Sequence, residues 1–181
     1  MRTEVDPQEL GTPEDGWLPL NMPRNFGKGR SFVSGEPEGD RLRIHYFQRE
    51  SDQVLCAKVW FGMGAEGPPG HAHGGSMAAV LDEAMGFAAW VAGHPVVAAT
   101  ITINFQKKLP LETVLFVETW VDRVDDRKVY TRGKIFHPGK DRIFADAEGL
   151  FIKQPIEHFG ALGRTAKMRE AQAEQEGCSD T

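Results

Sequence analysis

Two adjacent acids, Asp82 and Glu83, interrupt a run of apolar and small residues, SMAAVLDEAMGFAAWVA, at residues 76–92. The run is long and rich in helix formers, so we predict a helix that is buried on most sides. Residues three and four positions apart share a helix face, which places Asp82 on a stripe of small residues with Ala78 and Ala79. Burying a carboxylate without partners costs several kcal/mol, so we expect a chemical role for Asp82; the alternative is a structural acid bonded to a loop.

The two glycines ahead of this helix, Gly74 and Gly75, are the second chemical feature. The first backbone N–H groups of a helix have no partner within it, and glycine lets a substrate approach them closely. The helix dipole favours negative charge at this end, so the two amides could form an oxyanion hole. The alternative for a Gly-Gly pair before a helix is a plain turn.

Two histidines in the same loop, His71 and His73, raise the question of a metal site. A cupin-type site needs a Glu three or four residues after the second His and then a strand, whereas Met77 and a helix follow here. A zinc site needs more ligands than this loop supplies. We therefore expect no metal and no cofactor, with His73 as a donor or orienting group and His71 partly exposed.

The composition narrows the class of protein. The 181 residues allow one domain of ordinary size, and a hydrophobic fraction of 40% supplies a core. A net charge of −5 lacks the positive field that general nucleic-acid binding needs. No apolar run is long enough to span a bilayer, no export signal is visible, and Cys56 and Cys178 lie far apart. We therefore expect a cytoplasmic protein that neither binds nucleic acid nor spans a membrane.

The order of predicted elements indicates an α+β architecture, with an antiparallel sheet around one long central helix. Two strands precede the helix and four follow it, separated by short turns that suit antiparallel hairpins. The predicted strands begin at residue 41 and cover about residues 54–61, 96–105, 114–124, 128–137 and 142–153.

We divide the chain into an N-terminal extended arm at residues 1–40, a domain at residues 41–155 and a polar C-terminal tail at residues 156–181. The aromatic residues of the arm are expected to dock on the domain. One sheet covers only part of a helix that is apolar nearly all round, so we expect at least a homodimer. Glu83, rotated by about 100° from Asp82, is expected at the helix rim or in that interface.

The motif His73-Gly74-Gly75, with Asp82 nine positions after His73 and a later strand ending ITINFQKKLPL, resembles the hotdog-fold acyl-CoA thioesterases. The stretch GPPGHAHGGSMAAVLDEAMG is especially similar to the thioesterase-superfamily-member branch. The resemblance covers about residues 41–153. It implies a hotdog fold, an acyl-CoA substrate, and a homodimer or dimer of dimers whose sites combine residues from two protomers.

The resemblance also implies roles for the motif residues. Asp82 corresponds to the acid that acts as general base or nucleophile toward the thioester. The backbone N–H of Gly75 or its neighbour Gly74 corresponds to the group that polarises the thioester carbonyl. His73 corresponds to the motif histidine, which helps to hold the carbonyl or the loop.

Two positions depart from the family pattern. Gly67 stands where many members carry Asn or Gln, and Ala98 stands where related enzymes often place a Thr or Ser that holds the water. Thr100 and Thr102 lie close to Ala98 but in a shifted register. The reaction class is unaffected by these departures, while the rate is expected to depend on them.

Local cations are needed because coenzyme A carries phosphates and the protein is acidic. Lys107 and Lys108, after the ITINF strand, are the first candidates, and an ordinary solvated loop is the alternative for each. Met77 and Met85 are expected to wall the acyl pocket, although a core role explains them equally well. The further candidate cations are Arg127, Lys128 and Arg132.

Three functions remain open at this stage. Hydrolysis of an acyl-CoA thioester leads, because the acid follows His-Gly-Gly on the helix. An acyl-CoA hydratase or dehydratase on the same fold needs a His–acid pair poised at the acyl chain. A non-catalytic acyl-CoA-binding protein fits the loss of polar residues at Gly67 and Ala98.

Overall fold

The computed structural model describes residues 7–24, 28–139 and 142–159 of the chain. Two helices and seven strands lie within these ranges. Their bounds are α1 Pro7–Gly11, β1 Trp17–Leu20, β2 Leu42–Arg49, β3 Leu55–Phe61, α2 Gly74–Val91, β4 Val96–Phe105, β5 Val114–Asp125, β6 Lys128–Phe136 and β7 Ile143–Lys153. Each of the predicted strands and the long helix begins within two residues of its expected start.

The seven strands form one antiparallel sheet in the order β1-β2-β3-β5-β6-β7-β4. The sheet curves around α2, which contacts β3 to β7. Alternate side chains of β3 face the helix and are buried, among them Leu55, Ala57 and Val59. They meet Leu81 and Met85 of the helix in the main core. The predicted α+β architecture is therefore confirmed.

Helix α2 ends where its sequence predicts. Ala92 closes the last turn by donating its N–H to the Ala88 carbonyl, and Gly93 follows with a φ of +84°. A left-handed residue of this kind is the usual end of a helix, and glycine adopts it without a steric penalty. Pro95 then leads the chain into β4.

The N-terminal segment contributes to the sheet, which the sequence did not indicate. β1 pairs with β2 as an edge strand, so the sheet begins before residue 41. Trp17 of β1 docks on the outer sheet face, with its ring centroid 5.6 Å from that of Phe47 and 5.1 Å from that of Phe116. Lys58 on the same face forms an ion pair with Glu14 at 2.5 Å. The predicted docking of an arm aromatic is thus observed, whereas the division at residue 40 stays a prediction.

The opposite edge of the sheet, β4, is open. Within the part of the chain that the structure describes, it pairs with β7 alone, and most of its ten residues are exposed, including Val97 and Phe105. Among the described residues, no helix has the length and apolarity needed to cross a membrane. The polar C-terminal tail predicted at residues 156–181 falls outside the described ranges, apart from the short 3-10 turn Ile156–Phe159.

Candidate active site

His73 caps the N-terminus of α2. Its Nδ1 atom accepts a hydrogen bond of 2.9 Å from the backbone N–H of Gly75, and its carbonyl accepts the N–H of Ser76 at 3.0 Å. A backbone N–H can only donate, so Nδ1 is unprotonated and the neutral ring carries its proton on Nε2. His73 is exposed and therefore presents an Nε2–H donor beside the helix N-terminus. The donor role that the sequence predicts for His73 stays a prediction.

The two glycine amides are not equivalent. The Gly75 N–H is bound to His73, and a side chain at position 75 would stand 2.9 Å from the Nδ1 atom. Within the described residues, the Gly74 N–H has no hydrogen-bond partner. The expected oxyanion hole of two amides is therefore corrected: in this conformation Gly74 is the available donor.

A cleft of about 320 Å³ opens in front of this helix end. Gly74 and Met77 form its helix wall, and Lys107 and Lys108 lie across from them. The exposed ring of Phe105 stands beside Gly74, since a Cβ added to that glycine would lie 3.5 Å from the ring. No carboxylate lines the cleft, whose remaining lining residues are Pro68, His71, Ala72 and Gln106. The structure thus brings four of the predicted site residues together.

Asp82 lies on the face of α2 that the sheet leaves uncovered. It is exposed in the chain, so the expected burial within an apolar helix is wrong for a single copy. The neighbouring protein atoms still displace part of its water, and this loss of hydration raises the pKa of the carboxyl group above its ordinary value. No hydrogen bond or ion pair joins Asp82 to another described residue, so its carboxylate is available to a ligand or a second chain.

Glu83 is half-buried at the margin of the helix face that contacts the sheet. Its Oε1 atom accepts a 3.0 Å hydrogen bond from the Tyr46 hydroxyl, and its Oε2 atom accepts one from the Ser31 hydroxyl. The carboxylate is held between β2 and the N-terminal segment, at the rim of the helix, and its predicted place in a dimer interface stays a prediction. Ser31 is 52 residues from Glu83 in sequence, so no local pattern could have revealed this contact.

Met85 lies in the core and does not line the cleft. It is fully buried, and a Cβ added to Gly133 of β6 would stand 3.2 Å from its Cγ atom. Leu81 packs at the same position of the sheet. The pocket role suggested for Met85 is thus not observed in the chain, whereas Met77 is both buried and part of the cleft wall.

The departure at Gly67 has a steric cause. A Cβ at position 67 would stand 2.7 Å from the Cα of His73 and 3.1 Å from its Cδ2 atom. An Asn or Gln at this position would require the His73 cap to move. The glycine is therefore matched to the way in which His73 is packed here.

Thr100 and Thr102 lie on the wrong side of the sheet to replace a polar group at Ala98. Paired residues of an antiparallel ladder point to the same face. Thr102 pairs with the exposed Glu148 on the outer face, whereas Ala98 pairs with the buried Phe151 on the face toward α2. A change of register between Ala98 and Thr100 separates the two sets.

The remaining candidate cations lie away from the cleft. Arg132 is on the outer sheet face, where it pairs with Asp122 at 3.3 Å and Glu148 at 3.4 Å. Arg127 and Lys128 stand at the turn between β5 and β6, beside the end of β7 that pairs with the start of β4. Among the described residues, no cluster of three or more His, Cys, Asp or Glu side chains could hold a metal ion.

Comparison with known proteins finds similarity over the central part of the chain. Residues 69–143, from the loop before α2 to the start of β7, match the model of the thioesterase superfamily. Human acyl-coenzyme A thioesterase THEM5 is 30% identical over 114 residues, which cover 63% of this chain and 46% of THEM5. The chain spans about half the length of the curated relatives it matches.

Solved structures agree on the fold. The crystal structure of a thioesterase superfamily protein is 28% identical, superposes with a TM-score of 0.58, and covers 61% of this chain and 54% of that one. A hypothetical thioesterase from Streptococcus pneumoniae, solved with coenzyme A, has a TM-score of 0.53 at 18% identity and covers 56% of this chain and 78% of that one. The sheet around α2 is thus a hotdog fold.

Proposed function

We propose that this chain, whose residues 69–143 match the model of the thioesterase superfamily, hydrolyses an acyl-CoA thioester to the free acid and coenzyme A. The observation that carries the proposal is the cleft at the N-terminus of α2, where the available Gly74 N–H lies opposite Lys107 and Lys108. The name of THEM5 and the coenzyme A in the Streptococcus pneumoniae structure support the same substrate class.

The cleft suits the two chemically different ends of acyl-CoA. Lys107 and Lys108 are exposed and, within the described residues, form no ion pair, so both ammonium groups are available to phosphate. The apolar surfaces of Met77 and Phe105 suit the uncharged pantetheine arm. The Gly74 N–H and the Nε2–H of His73 can then donate to the thioester carbonyl oxygen, which becomes an oxyanion in the transition state.

Asp82 supplies the base in this proposal. Its carboxylate takes a proton from water, and the water oxygen attacks the thioester carbon to form the tetrahedral oxyanion. Collapse of that intermediate breaks the C–S bond, and the thiolate of coenzyme A takes up a proton. A pKa raised by lost hydration makes Asp82 a stronger base than an ordinary aspartate. Direct attack of Asp82 on the thioester carbon, with a mixed anhydride as intermediate, is the alternative route.

Spacing along α2 supports a site shared between two chains. Gly74 and Asp82 are eight residues apart, which separates them by about 12 Å along the helix axis. The oxyanion donor and the base must both lie about 3 Å from one reacting group, so a single chain cannot bring them together. We therefore propose a homodimer in which Asp82 of one copy works with the Gly74 loop of the other.

The open edge of β4 and the uncovered face of α2 are the surfaces that such a dimer would use. Light scattering is expected to show a dimer or a dimer of dimers. A stable and active monomer of about 20 kDa would overturn this part of the proposal. We also propose a reducing compartment such as the cytoplasm, which the buried free thiol of Cys56 supports.

Thiol release from short-chain, long-chain and aryl acyl-CoA substrates tests the proposed activity. We expect hydrolysis of at least one class, and we expect the exchange of Lys107 and Lys108 for Ala to raise KM more than it lowers kcat. Binding of acyl-CoA without thiol release would favour the non-catalytic alternative. Addition of water to an enoyl-CoA without thiol release would favour the hydratase.

A further inference from the structure

Glu83 is held at both carboxylate oxygens by hydroxyl groups from two separate parts of the chain. Tyr46 of β2 donates to Oε1 at 3.0 Å, and Ser31 of the N-terminal segment donates to Oε2. Ser31 is itself buried, and its Oγ atom accepts the hydroxyl of Ser34 at 3.1 Å. The proposed hydrolysis does not use this cluster. Glu83 nevertheless follows Asp82, the proposed base, directly in sequence.

The Tyr46 hydroxyl is a donor that stays protonated and is fixed in position. Its ring is buried and packs edge-on against Phe87 of α2, with ring centroids 5.1 Å apart. Burial and the adjacent Glu83 carboxylate raise the pKa of the phenol well above its usual value, so the group keeps its proton. Hydrogen bonds to a carboxylate are among the stronger ones in proteins, which makes this contact directional as well as stable.

The rotation of α2 about its axis decides where Asp82 points. The buried face, which carries Leu81 and Met85 besides small residues such as Ala84, seats α2 on the sheet. Contacts at the margin of this face then set the remaining small rotation of the turn that carries Asp82. Glu83 projects about 100° around the helix from Asp82. Two directional hydrogen bonds on Glu83 therefore fix the angle at which Asp82 leaves the helix.

We propose that Glu83 is a positioning residue, which Tyr46 and Ser31 hold so that α2 presents Asp82 to the thioester in a fixed orientation. The N-terminal segment around Ser31 is then part of the active-site architecture, although it lies outside the matched thioesterase region. The inference rests on the proposed function, because it assigns a role in the same reaction.

Three single variants test the positioning role. Glu83→Ala is expected to lower kcat roughly tenfold while KM stays within about threefold, because orientation and not binding is lost. Glu83→Gln is expected to restore most of kcat, since its amide oxygen can accept from Tyr46 and its amide N–H can donate to the Ser31 oxygen. Glu148→Ala, which removes an outer-face acid paired with Arg132, serves as the matched control and is expected to leave kcat unchanged.

A double-mutant comparison separates positioning from general loss of structure. In an Asp82→Asn background, Glu83→Ala is expected to cause no further loss of kcat, because the orientation of the base no longer matters. A second tenfold loss in that background would overturn the proposal. If Glu83→Ala fails to fold, Tyr46→Phe and Ser31→Ala each remove one of the two bonds and are expected to give smaller losses in kcat.

Carbon-13 NMR titration of Asp82 provides a readout that does not depend on turnover. We expect Glu83→Ala to lower the midpoint of the Asp82 titration more than Glu83→Gln, since both remove a neighbouring charge but only Ala also removes both hydrogen bonds that hold this turn of the helix. Equal midpoints in these two variants would overturn the positioning role. A wild-type protein that hydrolyses no thioester would refute the proposed function instead, and this titration would still decide the role of Glu83.

Discussion

The two faces of α2 differ in what they hold. The face toward the sheet carries Leu81 and Met85, both fully buried, and the Glu83 carboxylate is fastened at its margin. The uncovered face carries Gly75 and Asp82, which are exposed. One helix thus combines a side that stabilises the fold with a side that the fold leaves free. The comparison predicts that substitutions on one side affect stability and those on the other affect activity.

The largest effect is expected on the open face. Asp82→Asn keeps the shape of the side chain and removes the proposed base. We expect kcat to fall by roughly 10² to 10⁴-fold, the range for loss of a positioned general base, while acyl-CoA still binds. Thiol release and a binding titration on one preparation measure both quantities.

Asp126→Asn is the matched control for this substitution. Asp126 lies in the turn between β5 and β6 with a φ of +49°, a conformation that Asn tolerates well. It is expected to behave as wild type in both assays. Near-wild-type turnover in the Asp82 variant would contradict the catalytic role of Asp82. It would also contradict the assignment of activity to the uncovered face of α2.

The covered face is expected to show the opposite behaviour. Leu81→Ala removes a fully buried side chain beside Gly133 and should lower the free energy of unfolding by about 2 to 5 kcal/mol. Denaturant unfolding measures this loss. The specific activity of the protein that remains folded should stay close to wild type, and a large fall in kcat at full folding would contradict the division between the two faces.

A smaller effect is expected on the strand beside the open face. Ala98→Thr places a hydroxyl on the side of β4 that faces α2, where it can hold the attacking water. We expect a rise in kcat of roughly three- to tenfold with little change in KM. Thr100→Ala, on the outer face, is the control and should change neither constant. A gain or loss at Thr100 alone would show that the assignment of faces on β4 is wrong.

The smallest effect concerns stability and pH. The pKa of Asp82 is raised by lost hydration, so its charged form destabilises the folded protein. This contribution is absent below the unfolded pKa of about 3.9 and is complete above the raised folded value. We expect Asp82→Asn to raise the Tm at neutral pH by a small amount, below about 4 °C. The difference in Tm is expected to vanish near about pH 3. If the Tm of the wild type rises relative to that of the Asn variant as the pH increases, the sign of this effect is wrong.

Hydrophobic periodicity was sufficient to predict most of the fold. The run before Gly93 predicted α2, and alternation predicted the strands, with β4 placed at its observed bounds of Val96–Phe105. β1 was missed because it has only four residues and contains Pro19, so it carries too little periodic signal. Its position depends on pairing with β2, which lies more than twenty residues away in sequence.

The site could be predicted where its residues are close to one another in sequence. His73, Gly74 and Met77 lie within one turn of the helix start, so their proximity follows from sequence spacing alone. Glu83 could not be placed in this way, because its partners come from Ser31 and Tyr46. Asp82 was expected to be buried because a second copy was expected to cover the part of the helix that one sheet leaves open, and in the single chain this part is exposed.

The two edges of the sheet limit how far it can extend. At β1, Pro19 has no N–H to donate, and the strand offers only four residues to a further strand. At β4, ten residues are open to pairing. Two copies joined through β4 would leave only β1 at each outer edge, so strand addition would terminate after a single step. In such a dimer the asymmetry of the two edges would end strand addition and favour a finite particle over a fibril.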